Sequence, residues 1–203
     1  MKAIWQFGVA RQAVILLLLA LSQSARAQGP LPPARSWDIS VWIAGATGEE
    51  TTNSFAQAQT WSAGVSLGKL ITGELGKGWR RGTLEYGFDL IPVFVQSRPQ
   101  TIHGGGVEPV ILRWDSSRHI HRLVPYIELA GGAVITTSNL PPGSRTSSFN
   151  FTARGGGGVL LFTQNRRSWD ISCRWAHVSN ANLANFNPEF NGVQVSLGYH
   201  WYK

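Results

Sequence analysis

Three residues near the end of the chain have the types and the spacing needed for nucleophilic catalysis. His177 and Ser179 are two positions apart, so their side chains point the same way on an extended chain. A histidine beside a serine can remove the hydroxyl proton and make the oxygen nucleophilic. Asn180 follows directly and can offer its side-chain amide or its backbone N–H to a developing oxyanion. The same pattern also fits a polar strand end that opens a turn, because His-x-Ser is a short and unspecific motif.

Other short motifs in the chain predict no chemistry. The glycine run 155–158 lacks the Lys-Ser/Thr of a phosphate loop and is interpreted as a strand interior. His119 and His121 have no acidic cluster nearby and follow a turn signal, which favours a solvated loop over a metal site. Cys173 is the single cysteine, so a disulfide within the chain and a cysteine-cluster metal site are excluded. We therefore predict neither a metal nor a cofactor.

The residues that precede His177 alternate strictly between two faces. In an extended chain successive side chains point to opposite sides. One face of residues 168–179 is aromatic and aliphatic, and the other holds small and charged residues: Trp169, Ile171, Cys173 and Trp175 against Asp170, Ser172, Arg174 and Ala176. Small and charged residues together predict the packed polar interior of a narrow barrel. His177 and Ser179 then fall on the lipid-facing side, where polar groups are costly unless they lie at the rim and have partners.

Eight segments of this kind recur between clusters of Gly, Pro, Asn and Ser. Most of them reach ten or more residues, and a tilted membrane-spanning strand needs about 9–11. The segments are 37–46, 60–70, 80–96, 102–115, 122–137, 148–164, 168–178 and 192–202. The sequence therefore predicts an all-β fold, an eight-stranded antiparallel transmembrane β-barrel over residues 37–203. Aromatic residues near segment ends fit interfacial girdles: Trp37, Trp61, Trp79, Trp114 and Trp201. A soluble lipocalin-like barrel that carries a small apolar ligand is the alternative fold.

The first 27 residues have the pattern of a cleaved signal peptide. Lys2 and Arg11 precede an apolar run from Ala13 to Leu21, which is too short to cross about 30 Å of hydrocarbon. Small residues at 25 and 27 predict cleavage before Gln28, and a Pro-rich lead-in occupies residues 28–36. Removal of this segment lowers the formal net charge from +7 to +4, because it carries three basic residues and no acid. The remaining basic residues form no block, so nucleic-acid binding is not predicted.

The C-terminal motif resembles the lipid A 3-O-deacylase (acyloxyacyl hydrolase-like) family. The resemblance rests on residues 177–181 (HVSNA), the Asn-rich loop that follows, and residues 191–193 (NGV), which open the last strand. It implies an eight-stranded outer-membrane barrel whose active site faces the membrane. It implies an enzyme that removes an ester-linked acyl chain from the lipid A part of lipopolysaccharide. By the same match, His177 is the base, Ser179 the nucleophile and Asn180 a contributor to the oxyanion hole.

One part of the family pattern is missing from this chain. The family's triad includes a Glu on the last strand, after a Gly-hydrophobic pair, and here Gln194 follows Gly192 and Val193. Gln194 is the first candidate for the third member, although alternation puts it on the inward face, and Glu189 is the second. A neutral amide can orient an imidazole, but the corresponding change in a serine protease costs about 10⁴ in rate. A catalytically weak or inactive barrel with a lipid-binding or structural role is therefore the alternative function.

Overall fold

The computed structural model describes residues 32–49, 58–98, 100–140, 145–164 and 166–203. The predicted signal peptide and the first residues of the Pro-rich lead-in lie outside these ranges. Within them, no helix is both long and apolar enough to span a bilayer.

Eight antiparallel strands form one closed barrel in chain order, with the last strand paired to the first. The strands are β1 (Trp37–Gly48), β2 (Gln59–Leu70), β3 (Gly82–Arg98), β4 (Ile102–Ser116), β5 (Leu123–Leu140), β6 (Ser147–Gln164), β7 (Arg167–Ser179) and β8 (Phe190–Tyr202). Closure leaves no free sheet edge, so every strand can satisfy its backbone hydrogen bonds inside the sheet, as a membrane interior requires.

The predicted fold and strand number are confirmed, and the strand ends differ from prediction by at most three residues. Arg80, predicted to open the third strand, instead ends a single 3-10 turn at Gly78–Arg80, and β3 begins at Gly82. Gly76 and Gly78 cause this difference, because both adopt a positive φ that a continuing strand does not permit. The last strand begins two residues earlier than predicted, at Phe190, and this shift matters for the site.

The barrel interior is a packed polar core rather than a channel. Buried charges must be paired, and the interior arginines and carboxylates are interleaved so that each arginine contacts at least one acid. The ion pairs, with N···O distances of 2.5–2.9 Å, join Arg113 to Asp38, Glu85 and Asp115, Arg154 to Asp89 and Glu108, and Arg174 to Glu128. Two apolar clusters lie on either side of this polar layer, one around Phe94 and Phe190 and the other around Phe162 and Tyr202.

The outer wall of the barrel is apolar. Ile43, in the middle of β1, is 61% exposed, and the outward residues of the neighbouring strands are aliphatic as well. Aromatic side chains lie near both ends of the wall, and Trp79, within the 3-10 turn, is 72% exposed. A soluble carrier barrel would bury its apolar side chains inside, whereas this barrel presents them outward and keeps its charges within. The lipocalin-like alternative is therefore wrong, and the outer wall is that of a barrel embedded in the hydrocarbon of a membrane.

Candidate active site

The end of β7 positions His177 and Ser179 on the outer wall. By the two-residue alternation of β7, Ala176 and Val178 point into the barrel, whereas His177 and Ser179 lie on its outward face, where His177 is half-buried and Ser179 is 8% exposed. The start of β1 and the end of β8 lie at the opposite end of the barrel, where the two strands pair with each other. The two polar residues thus occupy the rim of the wall, the position at which polar side chains can be accommodated beside lipid.

A chain of hydrogen bonds runs from Ser179 through His177 to β8. The hydroxyl Oγ of Ser179 lies 2.9 Å from Nε2 of His177. The other ring nitrogen, Nδ1, lies 2.7 Å from the amide Oδ1 of Asn191. Asn191 donates in turn from Nδ2 to the Glu189 carboxylate, at 3.2 Å. The sequence motif therefore corresponds to a connected set of four polar side chains, two of them supplied by the start of the neighbouring strand and the loop before it.

The register of the β7–β8 pair explains why Asn191 meets the imidazole. His177 and Asn191 are direct partners across the two strands. By strand alternation both lie on the outward face, where His177 is half-buried and Asn191 is 8% exposed. Directly opposed side chains have their Cβ atoms about 4.5–5.5 Å apart, which a hydrogen bond between an imidazole and an amide can bridge. The backbone of two strands thus fixes the geometry, and only Glu189 comes from outside a strand.

This arrangement has the polarity that a general base requires. An amide oxygen accepts a hydrogen bond, so Nδ1 of His177 carries the proton when it faces Oδ1 of Asn191. Nε2 then has a free lone pair directed at the Ser179 hydroxyl. Cysteine proteases of the papain type orient their histidine with an asparagine in the same way. The geometry can therefore deprotonate Ser179 with a neutral third residue.

Gln194 does not occupy the place that the sequence predicted for it. It lies on the inward face of β8, opposite Arg174, and within the described chain its Oε1 atom is buried without a hydrogen-bond partner. The cause is the two-residue period of a strand. Asn191 shares its face with Val193 and Val195, and Gln194 belongs to the other face. Asn191 could have been found from the sequence by extending this alternation two residues back from Val193.

Asn180 is held inside the loop that begins after Ser179. It is 1% exposed, its backbone N–H donates to Oδ1 of Asn187 at 2.8 Å, and its side-chain Nδ2 donates to the Phe186 carbonyl at 2.9 Å. A tight turn over Ala181 and Asn182, both with positive φ, starts this loop. These two bonds engage the backbone N–H and one of the two amide hydrogens of Asn180, and they hold its side chain in a fixed position beside Ser179 in the chain.

Apolar residues surround the polar pair on the membrane side. Phe151 is the β6 partner of Ser179, and it packs edge to face against Phe149 with ring centroids 5.2 Å apart. Trp175 and Val193 are exposed on the wall beside His177, towards the middle of the barrel. A substrate with an acyl chain in the hydrocarbon can therefore lie along this wall with its ester at the rim.

The remaining candidate motifs lie away from this site. His119 and His121 lie exposed in the turn between β4 and β5, where Nδ1 of His119 lies 3.0 Å from the carbonyl oxygen of His121. Cys173 is exposed on the outer wall, on the apolar face predicted for it. Over the described ranges, no three His, Cys, Asp or Glu side chains are grouped so that they could hold a metal ion.

The chain forms a closed eight-stranded barrel with an apolar outer wall and a packed, charged interior, and a serine–histidine pair lies at its rim. These features are those of a class of membrane proteins, the β-barrel hydrolases whose candidate active site faces lipid. The profile of the lipid A 3-O-deacylase (PagL) family matches residues 44–200. The chain belongs to this family, and the resemblance predicted from the C-terminal motif is confirmed. Family and fold together place the chain in the outer membrane.

A solved structure and the curated proteins complete the comparison. The barrel is similar to the crystal structure of the outer membrane enzyme PagL, with a TM-score of 0.55 and 17% sequence identity. The match covers 79% of this chain and 97% of that chain, and at this identity it shows a common fold. None of the curated proteins gives a significant match.

Proposed function

We propose that this chain removes the 3-O-linked acyl chain of lipid A by a mechanism in which Ser179 is the nucleophile and His177 the general base. Membership of the deacylase family makes the chain a hydrolase of carboxylic esters. The observation that carries the mechanism is the 2.9 Å contact between Nε2 of His177 and Oγ of Ser179 on the lipid-facing wall. Lipid A presents its ester at such a rim, because its acyl chains lie in the hydrocarbon and its sugars lie outside.

The first half of the reaction forms an acyl-enzyme. His177 takes the Ser179 hydroxyl proton at Nε2 while Oγ attacks the carbonyl carbon of the ester. The tetrahedral intermediate collapses with cleavage of the bond to the sugar oxygen. The imidazolium returns its proton to that oxygen, so deacylated lipid A leaves as an alcohol and the acyl chain remains on Ser179.

The second half releases the fatty acid. His177 takes a proton from water at the same nitrogen, and the water oxygen attacks the acyl carbonyl. Collapse of this intermediate breaks the bond to Oγ, which recovers the proton from His177. The Ser179 hydroxyl and the neutral imidazole are regenerated, so each cycle consumes one ester bond and one water.

Asn191 and Asn180 have supporting roles in this proposal. Asn191 replaces the earlier candidate Gln194 as the residue that holds the imidazole, since its Oδ1 accepts from Nδ1. Asn180 is retained as the oxyanion donor through the second hydrogen of its side-chain amide. Removal of a single oxyanion donor in a serine protease costs about 10²–10³ in kcat. A catalytically weak barrel remains the alternative, because Asn191 carries no negative charge to stabilise the imidazolium.

Mass spectrometry of lipid A tests the proposal. The chain, folded in detergent, is incubated with purified lipid A, and the expected result is the loss of one ester-linked acyl chain with release of the free fatty acid. Ser179→Ala should abolish this change, whereas Cys173→Ala, a matched substitution on the same face of β7, should leave it intact. Lipid A that remains fully acylated with the wild-type chain would favour the inactive barrel. An active Ser179→Ala variant would reject Ser179 as the nucleophile.

Export of the chain is the last part of the proposal. Residues 1–27 direct it across the inner membrane and are removed before Gln28. N-terminal sequencing of the chain purified from outer membranes should therefore begin at Gln28. An intact Met1 would contradict a cleaved signal peptide.

A further inference from the structure

Glu189 is the last member of the hydrogen-bond chain that runs from Ser179 through His177 and Asn191, and the proposed mechanism assigns it no role. Its carboxylate accepts a hydrogen bond from Nδ2 of Asn191, while the imidazole of His177 bonds to Oδ1 of the same amide. Both of its chain neighbours are buried, Pro188 within the loop and Phe190 in the apolar cluster at this end of the barrel. Glu189 is itself half-buried. Its place beside Asn191 is therefore set by the packed residues on either side of it.

The amide of Asn191 can serve the imidazole in only one of its two orientations. An amide has an accepting oxygen and a donating nitrogen of nearly the same shape, and a flip exchanges them. With Oδ1 towards the ring, Nδ1 of His177 holds the proton and Nε2 is free to accept from Ser179. With Nδ2 towards the ring, Nδ1 must accept, so Nε2 carries the proton and cannot act as a base for Ser179.

An ionised carboxylate decides between these two orientations, because it accepts hydrogen bonds and cannot donate them. Glu189 therefore requires the nitrogen side of the Asn191 amide. The oxygen side is left for His177, which is the arrangement that the structure contains. An aspartate or glutamate in the place of Asn191 would need no such partner, since both of its oxygens accept.

We propose that Glu189 is a positioning residue that selects the competent tautomer of His177 by fixing the amide of Asn191. The proposal rests on the assignment of His177 as the general base. It differs from a triad with Glu189 as the direct partner, because Glu189 acts across an amide and touches neither the imidazole nor the substrate.

Nitrogen-15 NMR of the full chain, labelled at histidine and folded in detergent, tests the proposal without any substrate. The shifts of the two ring nitrogens tell which one carries the proton, and His177→Ala identifies the signals of His177 among those of the five histidines. We expect the Nδ1–H tautomer in the wild-type chain and a mixture of tautomers in Glu189→Gln. Glu74→Gln, a carboxylate change at the opposite end of the barrel, should leave the signals unchanged. An unchanged Nδ1–H tautomer in Glu189→Gln would overturn the proposal.

A kinetic cycle separates positioning from a general effect on the fold. In the wild-type background, Glu189→Gln should lower kcat by about 10- to 100-fold and leave KM nearly unchanged. This is the range seen when the hydrogen-bond partners of metal-binding histidines are removed. In an Asn191→Asp background, the same Glu189→Gln change should cost nothing, because a carboxylate at 191 needs no orienting partner. An equal loss in both backgrounds would show that Glu189 supports the loop rather than the tautomer, and would overturn the proposal.

The same set of variants distinguishes this inference from the proposed function. If Ser179→Ala and His177→Ala are inactive while Glu189→Gln is as active as the wild type, the serine–histidine mechanism stands and the role of Glu189 is refuted. If Ser179→Ala keeps full activity, the mechanism itself fails. The NMR result then still reports whether Glu189 fixes the tautomer.

Discussion

His177 and Asn191 face each other across β7 and β8, with Nδ1 of the imidazole 2.7 Å from the amide oxygen. This contact sets the orientation of the imidazole, since with Nδ1 bonded to Asn191 the other nitrogen, Nε2, faces the Ser179 hydroxyl. In the proposed mechanism, the third residue would therefore orient the base without bringing a charge to it.

Substitution of Asn191 should separate orientation from charge. Asn191→Ala removes the oxygen that accepts a hydrogen bond from Nδ1 of His177. It is expected to lower kcat by about 10- to 100-fold, as does the loss of the hydrogen-bond partners of metal-binding histidines. Asn191→Asp keeps the acceptor and adds a negative charge beside the developing imidazolium, so kcat should rise above that of the wild type. Acyl release from lipid A under saturating substrate measures both. A lower kcat for Asn191→Asp than for Asn191→Ala would show that a charge at this position harms the site.

Gln194 supplies the complementary test. Because it lies on the inward face opposite Arg174, Gln194→Ala should leave kcat within about twofold of the wild type, as expected for a residue that does not touch the reacting groups. Gln194→Glu should likewise fail to raise kcat, in contrast to Asn191→Asp. A gain in activity from Gln194→Glu would restore Gln194 as the partner of His177 and contradict the observed register.

The sequence predicted the barrel well because the information is local. Each strand has a period of two, and the polar face of segment 168–179 already showed that charges point inward. The turn residues marked the strand ends to within three positions. The pairing of His177 with Ser179 is local too, since two residues on one strand face need no knowledge of the rest of the fold.

Finding the third residue also requires knowing where the last strand begins. Asn191 and Gly192 are residue types that favour turns, so the last strand was predicted to begin after Asn191 rather than before it. Packing of Phe190 into the apolar cluster extends β8 backwards and brings Asn191 onto the outer face. Likewise, the bonds from Asn180 to Asn187 and Phe186 depend on how the loop closes, which its composition does not encode.

Loss of an interior arginine should destabilise the barrel strongly. Arg113 contacts the three carboxylates of Asp38, Glu85 and Asp115, so Arg113→Met leaves them buried without this cation. Breaking a buried ion pair from one side costs about 3–5 kcal/mol. Urea unfolding in lipid vesicles measures the change in free energy of unfolding. Arg81→Met is the control, since its ion pair with Glu74 is exposed to solvent and should contribute far less to the free energy of unfolding. Similar values for the two variants would contradict the role of the interior network.

The outer wall can be tested by placing a charge in the middle of it. Ile43 lies halfway along β1 and faces outward, so Ile43→Arg would bring a guanidinium into the hydrocarbon. On transmembrane barrels, arginine costs about 2–4 kcal/mol at the bilayer midplane and about 0–1 kcal/mol near the interface. Gln59→Arg, at the first residue of β2 and near the rim, is therefore the matched control.

The free energy of unfolding in vesicles and the mobility of unboiled samples on gels measure this difference. We expect Ile43→Arg to reduce the folded, heat-modifiable fraction and Gln59→Arg to leave it nearly unchanged. On a water-exposed wall, both arginines would be harmless, because an exposed isoleucine loses no burial when it is replaced. Equal stability of the two variants in vesicles would therefore show that β1 does not face lipid at Ile43. The substrate could not then reach Ser179 along the membrane side of the barrel.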